Sequence, residues 1–117
     1  MSDQIIDLSD VLERVQDDMD FLAELLDIFQ EDFITKRAAL GEAMTAKDLA
    51  KIKEVAHSIK GSSGNVSAKR IHASCLALEK LVQGNSTAGM DDLVKTIDVQ
   101  FAEVQRFTAD FKKGLGG

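Results

Sequence analysis

The sequence predicts an all-α protein, an antiparallel up-down-up-down four-helix bundle preceded by a short extra N-terminal helix. The chain contains no proline, tryptophan or tyrosine. That removes the strongest helix breaker and leaves aromatic-rich β-sandwiches and barrels without their usual residues. Apolar residues recur three and four apart in five successive stretches, the spacing of one helix face. The links between the stretches are short, so consecutive helices should lie antiparallel, and four long apolar stripes hide most economically against one another.

The first stretch is brief, with Ser9 as the expected N-cap before Val11, Leu12 and Val15. The second is long and carries Phe21, Leu25, Ile28, Phe29, Phe33, Leu40 and Met44, with Gly41 weakening its last turns. Asp48 should cap the third, whose inward residues are Leu49, Ile52, Val55, Ala56 and Ile59. The fourth starts after Ser67 with Ala68, Ile71, Cys75, Leu78 and Val82, and ends at Gly84 and Asn85, residues that tolerate positive φ. The fifth follows Gly89 with Leu93, Ile97, Phe101, Val104, Phe107 and Phe111, until Gly114, Gly116 and Gly117 should dissolve it.

With 117 residues, one domain spanning 1–117 is expected, able to bury over roughly 60% of its unfolded surface without staples. The single cysteine, Cys75, rules out an internal disulfide, and no charged-then-apolar leader opens the chain, so a cytoplasmic monomer is expected. Charges interrupt every apolar run well short of the roughly 20 residues that cross a bilayer. The net charge of −6 argues against nucleic acid and anionic membrane as partners. The charge is uneven: Arg14 is the lone cation before Lys36, whereas Lys47, Lys51, Lys53, Lys60, Lys69 and Arg70 form a basic island around the third helix. Alone, such a cluster is most simply a solvated helix face.

Placed on a wheel at about 100° per residue, the third helix gathers Leu49, Ile52, Val55, Ala56 and Ile59 on one side and turns His57 roughly 150° away from them. His57 is thus an outward histidine. It shares its stripe with Ala50, Lys53, Lys60, Gly61 and Gly64. An exposed imidazole titrates near about 6.5 and keeps a ring nitrogen free for attack on phosphorus without a neighbouring base. A phosphoryl group there would bring close to two negative charges, which Lys53 and Lys60, one turn on either side, can offset. Glycine in a helix costs up to about 1 kcal/mol relative to alanine. Clearance for an in-line phosphoryl donor would justify Gly61 and Gly64, although Gly64 fits a fraying helix end equally well.

The run Ala56-His57-Ser58-Ile59-Lys60-Gly61-Ser62-Ser63, followed by Ala68 and by Leu78-Glu79 in the next helix, resembles the signature of the histidine-containing phosphotransfer (HPt) family. In outline the resemblance covers the whole chain, a short leading helix and a four-helix bundle. It implies that His57 is the phosphoacceptor, Lys60 the residue that steadies the phosphate, and Gly61 the clearance position. Ser62 and Ser63 would tighten the helix end against its neighbours. It also implies a polar side chain from the second helix near the acceptor, for which Gln30 and Asp32 lie in the right stretch. Where the family usually has glycine before the matched alanine, this chain has Ser67; serine is a good N-cap, so the turn should close differently.

The function implied is phosphorelay within a two-component system, from the phosphoaspartate of one receiver domain to the aspartate of another. The partners would be receivers of response regulators and of hybrid histidine kinases, docking across the second and third helices. The receiver would bring the metal ion and acidic pocket, and the basic island would steer the encounter at a rate that falls with salt. No cofactor is expected. Autonomous enzyme activity is not expected either, since there is no glycine-rich nucleotide loop or kinase motif set. A metal site at His57, His72 and Cys75 lacks further ligands at a recognisable spacing, and His72 reads as structural or solvent-exposed. The alternative is a helical docking module that carries no phosphate, which leaves the lysines and glycines around His57 unexplained.

Overall fold

The computed structural model describes residues 5–115. Five helices follow one another: α1 Leu8–Arg14, α2 Met19–Thr45, α3 Leu49–Asn65, α4 Lys69–Gln83 and α5 Met90–Leu115. There is no strand among the described residues. α3 packs between α2 and α4, and α5 closes the ring against α4 and α2, so the last four helices form the expected antiparallel bundle. At 27 and 26 residues, α2 and α5 run about 40 Å at 1.5 Å per residue. They outreach α3 and α4, and the molecule is correspondingly long, 47 × 25 × 19 Å.

The core is one continuous cluster fed by all five helices, with Leu22, Leu26, Leu40, Ile52, Ile59, Ile71, Leu78 and Ile97 almost wholly buried. Across the α2–α5 seam, Phe33 stacks on Phe101 with ring centroids 3.9 Å apart. At the edge of that seam Arg37 grips Asp98 through two bonds, Nε to Oδ1 at 2.7 Å and Nη2 to Oδ2 at 3.1 Å. α2 continues through Gly41 to Thr45; a Cβ at Gly41 would stand 3.3 Å from the Arg37 guanidinium, so glycine there leaves room for the clasp.

Each helix-to-helix corner closes in the same way. A residue with φ near +56° follows the helix, and the next N–H reaches back five residues: Asp17 to Leu12, Asp48 to Ala43, Ala68 to Ser63 and Ser86 to Leu81, all within 2.8–2.9 Å. The left-handed positions are Gln16, with Asp17 after it at φ +61°, then Lys47, Ser67 and Asn85. None is glycine, the residue that would have marked them in the sequence.

Several local expectations need correction. α1 is capped by Asp7, whose carboxylate accepts the Asp10 N–H at 3.1 Å, and Ser9 lies inside the helix. Ser67 is not the cap of α4: Ala68 holds that place without a side-chain bond, while Ser67 takes φ +56° and donates its hydroxyl to Asp10 at 2.6 Å. That bond, the Asp7 N–H to the Ser67 carbonyl at 2.9 Å and Lys69 to Asp7 at 2.9 Å latch α1 onto the α3–α4 corner. On α2, Phe21 and Ile28 are exposed, and Leu22 and Leu26 take the core positions. Gly114 stays within α5, whereas Gly116 and Gly117 lie outside the described residues. Asp48 does cap α3, accepting the Lys51 N–H at 3.1 Å.

Candidate functional site

α3 turns its buried residues, Ile52, Val55, Ala56, Ile59 and Ser63, into the bundle. His57 falls on the opposite side, its side chain 70% exposed. Behind the ring stands Glu79 of α4, a residue only 8% exposed. Its Oε2 lies 3.2 Å from His57 Nδ1, and its Oε1 lies 2.7 Å from Lys60 Nζ. Burial alone would raise the Glu79 pKa, but the hydrogen bonds from Lys60 and His57 outweigh it and hold the carboxyl below its ordinary value. An ionised carboxylate only accepts, so Nδ1 carries the proton. The lone pair is then on Nε2, at the outer edge of the ring.

Around that edge the surface is open. A Cβ built at Gly61, one turn beyond His57, would meet nothing within 4 Å. Gly64 differs, since its Cβ would come 3.6 Å from the His72 ring. His72 is half-buried and donates Nδ1–H to the Lys60 carbonyl at 3.0 Å, a structural role that ties α4 to α3. Gly64 therefore belongs to that helix–helix contact rather than to the open face.

Of the two lysines on the stripe, Lys60 is 20% exposed and committed to Glu79. Lys53 is half-buried and enters none of the ion pairs among the described residues. Much of the basic island is paired: Lys51 with Glu54, Lys69 with Asp7 and Arg70 with Glu103. The field it projects is weaker than its lysine count suggests.

Neither α2 residue proposed as a neighbour of His57 bonds to it. Gln30 donates back to the Leu26 carbonyl at 3.2 Å, and Asp32 binds Lys36 at 2.7 Å and the Ser62 hydroxyl at 2.8 Å. The bond comes from the other neighbouring helix. Glu79 was visible in the matched signature but had no role there. It sits four residues after Cys75 and three before Val82, on the inward stripe, and a carboxylate at core spacing needs a charged partner. No group of three or more His, Cys, Asp or Glu among the described residues could hold a metal ion. No helix among them is long and apolar enough to cross a membrane.

An antiparallel helical bundle presenting one histidine to solvent, with its inner nitrogen on a buried carboxylate, is the architecture of a group-carrying signalling module. The family model for the Hpt domain matches residues 24–107, and the chain belongs to the Hpt family, whose members are phosphorelay carriers in two-component signalling. It is similar to histidine-containing phosphotransfer protein 2 of Arabidopsis thaliana, 26% identical over 95 residues, covering 77% of this chain and 61% of that protein. It thus spans less than two thirds of that relative's length. It is also similar to the crystal structure of histidine-containing phosphotransfer protein B (HptB) from Pseudomonas aeruginosa PAO1. That match has a TM-score of 0.85 and 26% identity, and covers 95% of this chain and 96% of the other.

Proposed function

We propose that this chain is a phosphorelay intermediate in which His57 Nε2 takes a phosphoryl group from a receiver-domain phosphoaspartate and passes it to the aspartate of another receiver. The observation that carries this is the Nδ1 contact to Glu79, which leaves Nε2 unprotonated and facing solvent beside the open Gly61 surface. In the forward step the Nε2 lone pair attacks phosphorus in line and the P–O bond to the donor aspartate breaks, releasing a carboxylate. The return step breaks the P–N bond. This chain supplies a positioned nucleophile, while the receiver brings the metal and most of the electrostatic stabilisation.

Lys53 and Lys60 bring positive charge one turn before and after the acceptor, favouring the phosphorylated state. Receivers of response regulators and hybrid kinases dock across α2 and α3, where exposed Ile28 lines a shallow groove with Leu25, Asp32, Ser62 and Asn65. The chain works as one monomeric Hpt domain in the cytoplasm, a carrier without kinase or phosphatase activity of its own.

The test is incubation with candidate phosphorylated receivers. Label should move to this protein as an acid-labile, base-stable adduct and be lost in His57→Gln. Undiminished labelling of His57→Gln would overturn the proposal.

A further inference from the structure

We propose that His72 is a second phosphorylation site, open to small phosphoryl donors such as acyl phosphates and phosphoramidate and closed to the receiver domain that serves His57. The site lies away from the α2–α3 face used for docking, and it stands or falls independently of the phosphoacceptor reading of His57.

His72 stands in the first turn of α4, at the wall of a cavity of about 350 Å3 lined also by Gly64, Ser67 and Lys69 of the α3–α4 corner and by Asp10 and Arg14 of α1. Ligand pockets start at about 300 Å3, so a phosphoryl group on a small donor has room there. A receiver, which must bring an aspartate up to a protruding ring, does not: His57 is 70% exposed, whereas His72 is half-buried. The Lys60 carbonyl lies 3.0 Å from His72 Nδ1. A carbonyl only accepts, so Nδ1 carries the ring proton and Nε2 keeps a lone pair. Nδ1 and Cε1 are the ring atoms nearest Gly64, at 3.6 and 3.9 Å from where a Cβ would stand. Nε2 makes no hydrogen bond among the described residues and is left for the cavity.

Two cations line the same cavity, Lys69 and Arg14. Each is paired, Lys69 with Asp7 at 2.9 Å and Arg14 with Asp10 at 3.3 Å, and each side chain is 55% exposed. Turning them to a phosphoryl group exchanges one exposed ion pair for another at little cost, and a phosphate with close to two charges offers the stronger charge-assisted bonds. The carboxylates are not left bare: Asp10 keeps the Ser67 hydroxyl at 2.6 Å, and Asp7 keeps the Asp10 N–H at 3.1 Å. In the step itself the Nε2 lone pair attacks phosphorus and the bond to the leaving group breaks, releasing carboxylate from an acyl phosphate or ammonia from phosphoramidate. The ring keeps its Nδ1 proton and becomes cationic. Phosphate here competes with Asp7 for Lys69, one of the bonds that latch α1, so occupancy of His72 loosens α1.

The experiment treats the folded parent, His57→Gln, His72→Asn and the double variant with potassium phosphoramidate and locates acid-labile, base-stable phosphate by phosphorus NMR. The asparagine amide can still donate to the Lys60 carbonyl, which protects the fold. The parent should take phosphate on both rings, His57→Gln on His72 Nε2 alone, His72→Asn on His57 alone, and the double variant on neither. A phosphorylated receiver should label only His57. In the His57→Gln background, Lys69→Met and Arg14→Met should each slow His72 labelling roughly 2- to 5-fold, the worth of one exposed ion pair, and amide exchange in α1 should quicken once His72 is phosphorylated. If His72→Asn does not fold, His57→Gln still decides, because its only remaining histidine is His72. A folded His57→Gln that takes no phosphate overturns the proposal. So does label on His72 Nδ1, label that reaches His72 only in urea, a rate indifferent to both cations, or an α1 whose exchange does not change. Label on His72 with none on His57 upholds this site and sinks the phosphoacceptor reading; the reverse result sinks this site alone.

Discussion

At Ser67 the backbone turns through φ +56° in a place where only 2% of the residue is exposed. A side chain in this conformation costs roughly 1–2 kcal/mol that glycine avoids. Serine recovers part of that through its bond to Asp10, which also lowers the Asp10 pKa. Ser67→Gly therefore relieves the backbone and loses the latch to α1, whereas Ser67→Val loses the latch and worsens the backbone. Urea unfolding should place Ser67→Val roughly 1–2 kcal/mol below Ser67→Gly, and equal midpoints would show that the turn relaxes. The sequence marked Ser67 as a departure but suggested a cap, because a good N-cap residue and a tolerated left-handed residue look alike without φ. Glu79 was harder to interpret: its partners lie 22 and 19 positions away on another helix, and only the fold brings them together.

α2 shows how periodicity alone misplaces a core. Its buried residues, Leu22, Leu26, Phe29 and Phe33, and its outer ones, Phe21, Leu25 and Ile28, are two stripes one position apart, and each fits a 3.6 repeat. The outer stripe turns polar at Asp32, while the inner one continues to Leu40 and Ala43. Persistence along the helix was the usable signal. Leu26→Ala should accordingly cost about 2–5 kcal/mol, and Ile28→Ala should stay within about 0.5 kcal/mol of the parent. Comparable losses in urea unfolding for both would mean that Ile28 belongs to the core after all. If Ile28 lines the docking surface, its alanine variant should instead weaken transfer from a receiver while leaving phosphoramidate labelling unchanged.

At the scale of the molecule the bundle was legible because it follows from stripe count, helix length and short links, all local quantities. The electrostatic surface was not, because it depends on which charges meet across helices. Four of the six residues of the basic island around His57 are paired: Lys51 with Glu54, Lys60 with Glu79, Lys69 with Asp7 and Arg70 with Glu103. What a distant partner senses is then mostly the net charge of −6. Toward a receiver with an acidic pocket that long-range term is repulsive, and it fades as the Debye length shrinks from about 30 Å at 0.01 M salt to about 8 Å at 0.15 M. Steered association falls steeply over this range. Here the second-order rate of transfer from a phosphorylated receiver should stay level or rise, changing by less than about threefold. Stopped-flow transfer at a series of salt concentrations measures this directly. A steep fall would mean that the paired lysines still act as free charges at the encounter, and Lys51→Ala and Lys69→Ala would then identify which of them the receiver meets first.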